Sequence, residues 1–227
     1  MAVRIRVISI GAIAAHPVWG EKSEVRPAHA TTTLLEAGKS CIVVDPSLPA
    51  QVLIPRLAER SGKSPKDITH VFLTSFHPMR RRGLAAFPDA EVLLAATERE
   101  GVAEQLKQRL QQAQHHADVE VERMVSEELA MLRNCQDAPD RLEEGVDLFP
   151  LPGVTPGNSG LLVPSTSNTL LITGDAIATA EHLEKGMMIA PCFDIQQGLA
   201  SLAEVIEIAD LIVPGRDNLF ANPIRRF

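Results

Sequence analysis

Residues 73–84, with the sequence LTSFHPMRRRGL, decide the fold, because they join a short apolar strand to a loop with one histidine and three arginines. Three later stretches have the same organisation, an apolar run that ends in a loop of small or polar residues. They are LPGVTPGN at 151–158, TGDA at 173–176 and VPGRD at 213–217. Since α/β proteins place binding and catalytic groups in loops at strand ends, these four stretches form the candidate functional region.

The chain around these loops predicts a layered α/β domain. Alternating or β-branched apolar runs predict strands over residues 3–10, 30–35, 41–45, 71–73, 91–94, 146–151, 160–163, 169–173 and 211–213. The second and third of these flank Gly38 and predict a hairpin. Apolar residues at helical spacing predict helices near 52–58 and over 196–209. Strands that alternate with helices are typical of an α/β fold, and we expect one domain over residues 1–227.

Residues 97–145 differ in composition, because glutamate, glutamine, arginine and lysine are frequent there. Two apolar stripes, one with Val102, Leu106 and Leu110 and a second that starts at Val121, predict two amphipathic helices broken near residues 115–118. We interpret the segment as a helical insertion at about 97–145 over one edge of the fold. It could cover a cleft, form a dimer contact or be a solvated helical hairpin in a domain of its own.

Composition and charge narrow the class of protein. The 227 residues are 45% hydrophobic and 22% charged, which is typical of a globular domain with a full core. The formal charge of −7 argues against nucleic acid or an anionic membrane as a partner. No apolar run reaches the roughly 18 residues that a membrane-spanning helix needs. The three cysteines are far apart and odd in number, so we expect a reducing, cytoplasmic location without a disulfide framework.

In this order and spacing, the four loops resemble the motifs of the metallo-β-lactamase superfamily of hydrolases. The family patterns LTHxHxDHxGGL, PGHTPGH, TGD and IVPGH correspond here to LTSFHPMRRRGL, PGVTPGN, TGD and IVPGR. The stretches VVDPS around Asp45 and FPDAEVLLA from Phe87 also match the family's usual surroundings. The resemblance covers nearly the whole chain. It implies an αβ/βα four-layer sandwich, in which two sheets pack back to back with helices outside.

The resemblance also implies a site for two metal ions, usually zinc or iron, with a bridging water as the nucleophile. The positions that would hold one ion carry Ser75, His77 and Val154 in this chain. The positions that would hold the other carry Met79, Arg80 and Arg216, and Asp175 stands at the bridging position. Only His77 and Asp175 therefore keep a residue type that the family uses.

The substituted side chains are poor metal ligands. Zinc takes about four N, S or O ligands, whereas valine has no lone pair and methionine sulfur favours softer metals. Arginine stays protonated, so it cannot coordinate a cation and repels it. We therefore expect no metal cofactor. If one is bound, it would be a single zinc, iron or manganese ion with ligands from outside the motifs, for which the candidates are His16, His29, His182 and Cys192.

The two arginines suggest a specific replacement. Both stand at ligand positions of the same ion, next to Asp175, and a guanidinium can supply the positive charge that the metal would have given. A buried carboxylate left without a partner would cost on the order of 3–5 kcal/mol. We therefore predict that Arg80, Arg216 or both form a salt bridge with Asp175.

The sequence supports two classes of function. In the first, the chain is a non-catalytic or strongly altered hydrolase homologue with vestigial catalytic residues His77 and Asp175. A cleft would then bind a small anionic ligand through the four candidate contacts Ser75, Arg80, Arg216 and His182. In the alternative, His77, Asp175 and non-standard ligands hold a metal for hydrolysis of a small ester, thioester or lactone, or a metal-free variant pairs Ser75 or Cys192 with His77. A homo-oligomer formed through the helical segment is compatible with either.

Overall fold

The computed structural model describes residues 3–224 and contains two six-stranded sheets with helices on their outer faces. The first half of the chain forms β1 (Arg4–Ser9), β2 (Thr32–Ala37), β3 (Ser40–Val44), α1 (Ala50–Ser61), β4 (His70–Leu73), β5 (Glu91–Leu94), α2 (Ala96–His115), α3 (Val119–Arg133) and β6 (Gln136–Asp137). The second half forms β7 (Arg141–Glu143), β8 (Val146–Pro150), β9 (Ser159–Pro164), β10 (Thr169–Gly174), α4 (Ala180–Lys185), α5 (Ile195–Ile208), β11 (Leu211–Pro214) and β12 (Phe220–Ala221).

Alternate side chains along the central strands pack into different apolar clusters, and this alternation produces the layers of the fold. In β4, Val71 and Leu73 belong to the apolar cluster under α1, α2 and α3, while Phe72 belongs to the cluster between the two sheets. In β10, Leu170 and Ile172 face the same central cluster, and Leu171 faces the cluster under α5. Because successive side chains of a strand point to opposite faces, each sheet is covered on both sides. The result is the expected αβ/βα four-layer sandwich.

The strand order brings the candidate loops to one edge of the sandwich. The first sheet has the order β1-β2-β3-β4-β5-β6, and β3, β4 and β5 run parallel. The second has the order β12-β11-β10-β9-β8-β7, and β10 and β11 run parallel. Since parallel strands end at the same edge, the loops after β3 and β4 are neighbours, and so are the loops after β10 and β11.

The helical segment is placed differently from the predicted insertion at about 97–145. Its two helices are present and break at residues 116–118, but Leu106, Val125 and Leu132 are buried in the same apolar cluster as β4. The pair is thus part of the outer layer, and neither a separate domain nor a solvated hairpin. Residues 136–143 also contain β6 and β7, one strand of each sheet, so the predicted boundary at 145 is too late. In the described part of the chain, no helix is long and apolar enough to cross a membrane.

Candidate functional site

Asp175 lies at the centre of the site, between two guanidinium groups. It follows β10, and its carboxylate accepts hydrogen bonds from Arg216, with Nε 2.9 Å from Oδ1 and Nη2 2.7 Å from Oδ2. Arg80 Nη2 lies 2.6 Å from Oδ1, an ion-pair contact that is not aligned as a hydrogen bond. The prediction that Arg80, Arg216 or both pair with Asp175 is therefore confirmed, and the structure has both pairs.

Arg80 also pairs with a second carboxylate, that of Asp45 after β3. Its Nη1 contacts Asp45 Oδ2, which also accepts a hydrogen bond from Thr74 Oγ1 at 2.7 Å. The Thr74 backbone N–H donates to Asp45 Oδ1 at 2.9 Å. Asp45 holds a φ of +49°, which is unfavourable for a residue with a side chain and is fixed here by these contacts. We call the four residues Asp45, Arg80, Asp175 and Arg216 the Arg–Asp cluster.

The Arg–Asp cluster balances two cations with two anions inside the protein. Arg80 has 0% exposure, Asp45 2% and Asp175 5%. Burial alone would raise the pKa of Asp175, but the two guanidiniums outweigh burial and hold this pKa below its usual range. Burial raises the pKa of Asp45, whose ion-pair partner within residues 3–224 is the shared Arg80 alone. The main energetic consequence of such a buried ion pair is that removal of one partner strongly lowers the free energy of unfolding.

Two glycines allow this close approach. A side chain at Gly215 would place its Cβ 2.3 Å from Asp175 Oδ1, and one at Gly174 would place it 2.5 Å from Thr74 Oγ1. Gly174 has a φ of +57°, which favours glycine as well. The small residues in the TGD and VPGR motifs thus let the loops after β10 and β11 meet the loop after β4.

His77 lies at the mouth of the site and is exposed. Its Nδ1 accepts a hydrogen bond from the Met79 backbone N–H at 3.2 Å, so the ring proton of the neutral form is on Nε2. Surrounding protein atoms partly desolvate the ring and lower the pKa of His77, and the Arg80 and Arg216 cations act in the same direction. Ser75 is buried, and within residues 3–224 no hydrogen bond joins it to His77. A nucleophile–base pair between these two residues is not formed.

The side chains in this region do not form a suitable ligand set for the family's metal ions. Both carboxylate oxygens of Asp175 contact guanidinium nitrogens, and the Arg80 cation lies between the carboxylates of Asp45 and Asp175. Across the described residues, no group of three or more His, Cys, Asp or Glu side chains could hold a metal ion. Of the candidate outside ligands, the Cys192 thiol donates to the Gly153 carbonyl at 3.2 Å, and His29 Nδ1 lies 3.3 Å from the Ala30 carbonyl oxygen.

His182 and His16 lie together in a neighbouring cluster. His182 is in α4 and has 1% exposure, so it is not a surface histidine. Its Nδ1 lies 2.9 Å from Thr179 Oγ1, and His16 Nε2 lies 3.3 Å from the same hydroxyl. Burial lowers the pKa of His182, and His16 acts in the same direction. Sequence reasoning considered both histidines but had no signal that one threonine would join them.

Glu98 is a buried site residue that sequence reasoning missed. It lies in the first turn of α2 and joins the loop after β4 to the loop after β8. Its carboxylate accepts hydrogen bonds from Phe76 N at 3.0 Å, Thr155 Oγ1 at 2.7 Å and Gly157 N at 2.9 Å. Burial raises the pKa of Glu98 and outweighs these hydrogen bonds. In the sequence it is one of many acidic residues in the helical segment, which explains why no pattern identified it.

The family follows from a comparison of the sequence with family models. Residues 25–205 match the model of the metallo-beta-lactamase superfamily, which is most of the chain. The chain belongs to the metallo-beta-lactamase superfamily. The predicted membership of this family is therefore confirmed, and so is the fold. None of the curated proteins matches the sequence.

Solved structures agree with the superfamily's fold. A Thermotoga maritima protein assigned to the metallo-beta-lactamases is similar, with 18% identity, a TM-score of 0.68, and coverage of 97% of this chain and 100% of that one. AidC, a dizinc quorum-quenching lactonase, is 15% identical with a TM-score of 0.67 and coverage of 95% and 84%. The AiiA protein of B. thuringiensis, solved as a variant with N-decanoyl-L-homoserine, is 19% identical with a TM-score of 0.64 and coverage of 96% and 94%.

Proposed function

We propose that this superfamily member does not carry out metal-dependent hydrolysis and instead binds a small ligand in the retained cleft. The observation that carries the proposal is the Arg80 guanidinium, which is fully buried and ion-paired with Asp45 and Asp175. Arg80 stands where the family pattern has a metal ligand. A fixed cation at this position supplies the charge that stabilises the carboxylates, but it has no open coordination position for water or substrate.

The burial of these side chains determines which of the candidate residues can contact a ligand. Arg80 was a candidate contact for a small anion, but it has no exposed surface and both of its anionic partners are internal. Ser75 and His182 are also buried. Arg216 remains a candidate, because its side chain keeps 9% exposure at the edge of the Arg–Asp cluster. We infer that a ligand enters beside Arg216 and not at the position of the lost metal site.

A hydrolysis assay tests the proposal. The purified protein is incubated with zinc, manganese or iron(II), and turnover of an N-acyl homoserine lactone, an aryl ester and a thioester is measured, together with bound metal. We expect substoichiometric metal and no rate above that of buffer. Stoichiometric metal with turnover that disappears in His77→Ala and Asp175→Asn would establish the alternative, a metal-dependent hydrolase with non-standard ligands. Turnover without metal that disappears in Ser75→Ala would also overturn the proposal.

We also propose a reducing, cytoplasmic location. Cys41, Cys135 and Cys192 are free thiols in the structure, and the first two are buried. Burial raises the pKa of Cys135 to about 11 and raises that of Cys41 as well, so both thiols stay protonated at neutral pH. Free thiols of this kind are typical of proteins from reducing compartments.

A further inference from the structure

We propose that a groove on the outer face of the first sheet binds a carboxylate with a medium-length apolar body, such as an alkyl or aryl-alkyl acid. The groove has a volume of about 570 Å³ and is lined by residues of two segments, 81–92 and 131–136. We call it the outer groove. Its lining includes the starts of the parallel strands β5 and β6, so it lies towards the edge of the sheet opposite to the Arg–Asp cluster. Its lining residues include no member of that cluster, so the inference is independent of the proposed function.

The floor of the outer groove is part of the apolar core. Phe87 and Cys135 are buried in the cluster under α1, α2 and α3, while Leu84, Ala90 and Val92 pack against this cluster and remain partly exposed. Cys135 adds to the apolar surface, because burial raises the pKa of its thiol to about 11 and keeps it uncharged at neutral pH. Since removal of accessible apolar surface from water is favourable, a concave floor of this kind favours a ligand with an apolar body.

Arg81 supplies a cation at the wall of the outer groove. Its guanidinium carbon lies 4.3 Å from the centroid of the Phe76 ring, and its Nε donates to the Phe76 carbonyl at 3.1 Å. Its Nη2 pairs with Glu128 Oε1 at 3.0 Å. The other terminal nitrogen, Nη1, donates to Met131 Sδ at 3.0 Å in a solvent-exposed contact, and Met131 lines the outer groove together with Arg81. The guanidinium is therefore held in one orientation, with Nη1 directed at a residue of the groove wall.

Of the three acceptors around the Arg81 guanidinium, the thioether of Met131 is the weakest. A thioether sulfur is a weak acceptor, whereas a hydrogen bond from a guanidinium to a carboxylate is charge-assisted and short. Met131 has 37% exposure, and its unbranched side chain is free to adopt other rotamers. A carboxylate that enters the outer groove therefore replaces Met131 Sδ at Nη1 with a stronger acceptor.

The charges of the other lining residues also favour an anion. Arg82 is exposed and makes no ion pair within residues 3–224, whereas Glu91 lies 3.8 Å from His70 Nε2. The lining residues therefore carry two cations and one anion, in a chain whose formal charge is −7. Asn134 and Gln136 are exposed in the same lining and contribute amide groups, which donate hydrogen bonds to acids as well.

The volume of the outer groove sets the size of the ligand. Pockets for drug-sized ligands have about 300–1,000 Å³, so a groove of about 570 Å³ suits a medium-length alkyl chain or an aromatic ring with its substituent. A bare acetate ion would leave most of the apolar floor in contact with water. The floor and the fixed cation together therefore select a monocarboxylate with an apolar body.

A series of ligands tests this chemistry. The full-length protein is titrated calorimetrically with octanoate below its micelle concentration, and with octanamide, octylammonium and acetate, while methyl NMR spectra report the position of binding. We expect octanoate to bind about fivefold tighter than octanamide and about tenfold or more tighter than octylammonium and acetate, with the largest shifts at Leu84, Val92 and Met131. No saturable octanoate binding, or largest shifts elsewhere, would overturn the site. Equal or tighter binding of any of the other three probes would overturn the ligand class.

Met131→Glu locates the binding. The substitution brings a carboxylate next to Arg81, where it competes with the ligand for Nη1, so we expect the affinity for octanoate to fall about tenfold or more. Met124→Glu is the matched control, because Met124 is an exposed methionine of the same helix that does not line the outer groove. Octanoate should bind to this control as it does to the wild type. Equal affinities in the two variants would contradict the site.

Arg81→Gln separates recognition of the charge from packing. It removes the guanidinium, so we expect the preference for octanoate over octanamide to disappear, and a ratio of two affinities is not changed by a small loss of stability. Arg123→Gln is the matched control, because Arg123 is paired with a glutamate as Arg81 is, lies on α3 and does not line the outer groove. It should keep the preference of the wild type. The same preference in Arg81→Gln would refute Arg81 as the contact of the anion and overturn the assignment.

Discussion

Two polar regions lie side by side at the same edge of the sandwich, and they differ in whether their carboxylates have guanidinium partners. In the Arg–Asp cluster, both carboxylates contact the buried guanidinium of Arg80, and Asp175 also pairs with Arg216 at the edge of the cluster. Around His16, the carboxylates of Glu181 and Asp217 have no guanidinium partner within residues 3–224, and His16 Nδ1 makes no hydrogen bond to a described residue. A buried ion pair makes the stability of the fold sensitive to the loss of either partner, whereas a region without such pairs tolerates substitution better. We therefore expect the two regions to differ in how strongly substitutions change the free energy of unfolding.

The largest change in stability is expected when Arg80 is substituted. Arg80→Ala leaves Asp45 and Asp175 buried with too little positive charge, so we expect the free energy of unfolding to fall by about 3–5 kcal/mol. Urea denaturation measures the change. Arg82→Ala is the matched control, because Arg82 is exposed, and it should change stability by less than about 0.5 kcal/mol. Similar small losses in both variants would show that the cluster is not structural.

The pH dependence of the unfolding free energy tests the charge pairing of Asp175. Its pKa in the folded state is lowered, so the ionised carboxylate contributes stability that is fully present above its unfolded pKa of about 4. This contribution is lost as pH falls through the folded pKa. We therefore expect the difference in unfolding free energy between wild type and Asp175→Asn to be largest near neutral pH. It should shrink below about pH 4, and a constant difference over this range would refute the charge pairing.

The smallest effect on stability is expected at His16. His16→Phe removes Nδ1, which has no partner, and Nε2, which lies 3.3 Å from Thr179 Oγ1 and 3.6 Å from Glu181 Oε2. Because these Nε2 contacts are long and the stacking on Trp19 is kept, stability should stay within about 1 kcal/mol of wild type. Thermal and urea unfolding measure it alongside Arg80→Ala. A loss as large as that of Arg80→Ala would mean that His16 is a structural residue, and the contrast between the two regions would disappear.

The sequence predicts the fold and the centre of the site for a physical reason. Strand ends are marked by Gly, Pro and polar residues, and parallel strands bring those ends together, so Asp175 and Arg216 could be placed near each other. The need of a buried carboxylate for a cation then predicts the salt bridges.

The remainder of the site depends on contacts that the sequence does not show. Asp45 lies in a recognised stretch, VVDPS, but its pairing with Arg80 requires the positions of two separate loops. His182 could be a surface or a cleft residue from its helix alone, and only the packing of α4 against His16 and Thr179 decides that it is buried. The helical segment has the polar composition of an insertion, yet its apolar stripes complete the core.

The most direct test of the central claim is a crystal structure of the protein soaked in excess zinc, with anomalous data collected at the zinc edge. We predict that the Arg80 guanidinium lies between the carboxylates of Asp45 and Asp175, and that no anomalous peak lies within bonding distance of His77 or Asp175. A well-occupied zinc ion bonded to His77 and Asp175, with Arg80 or Arg216 displaced, would contradict the account.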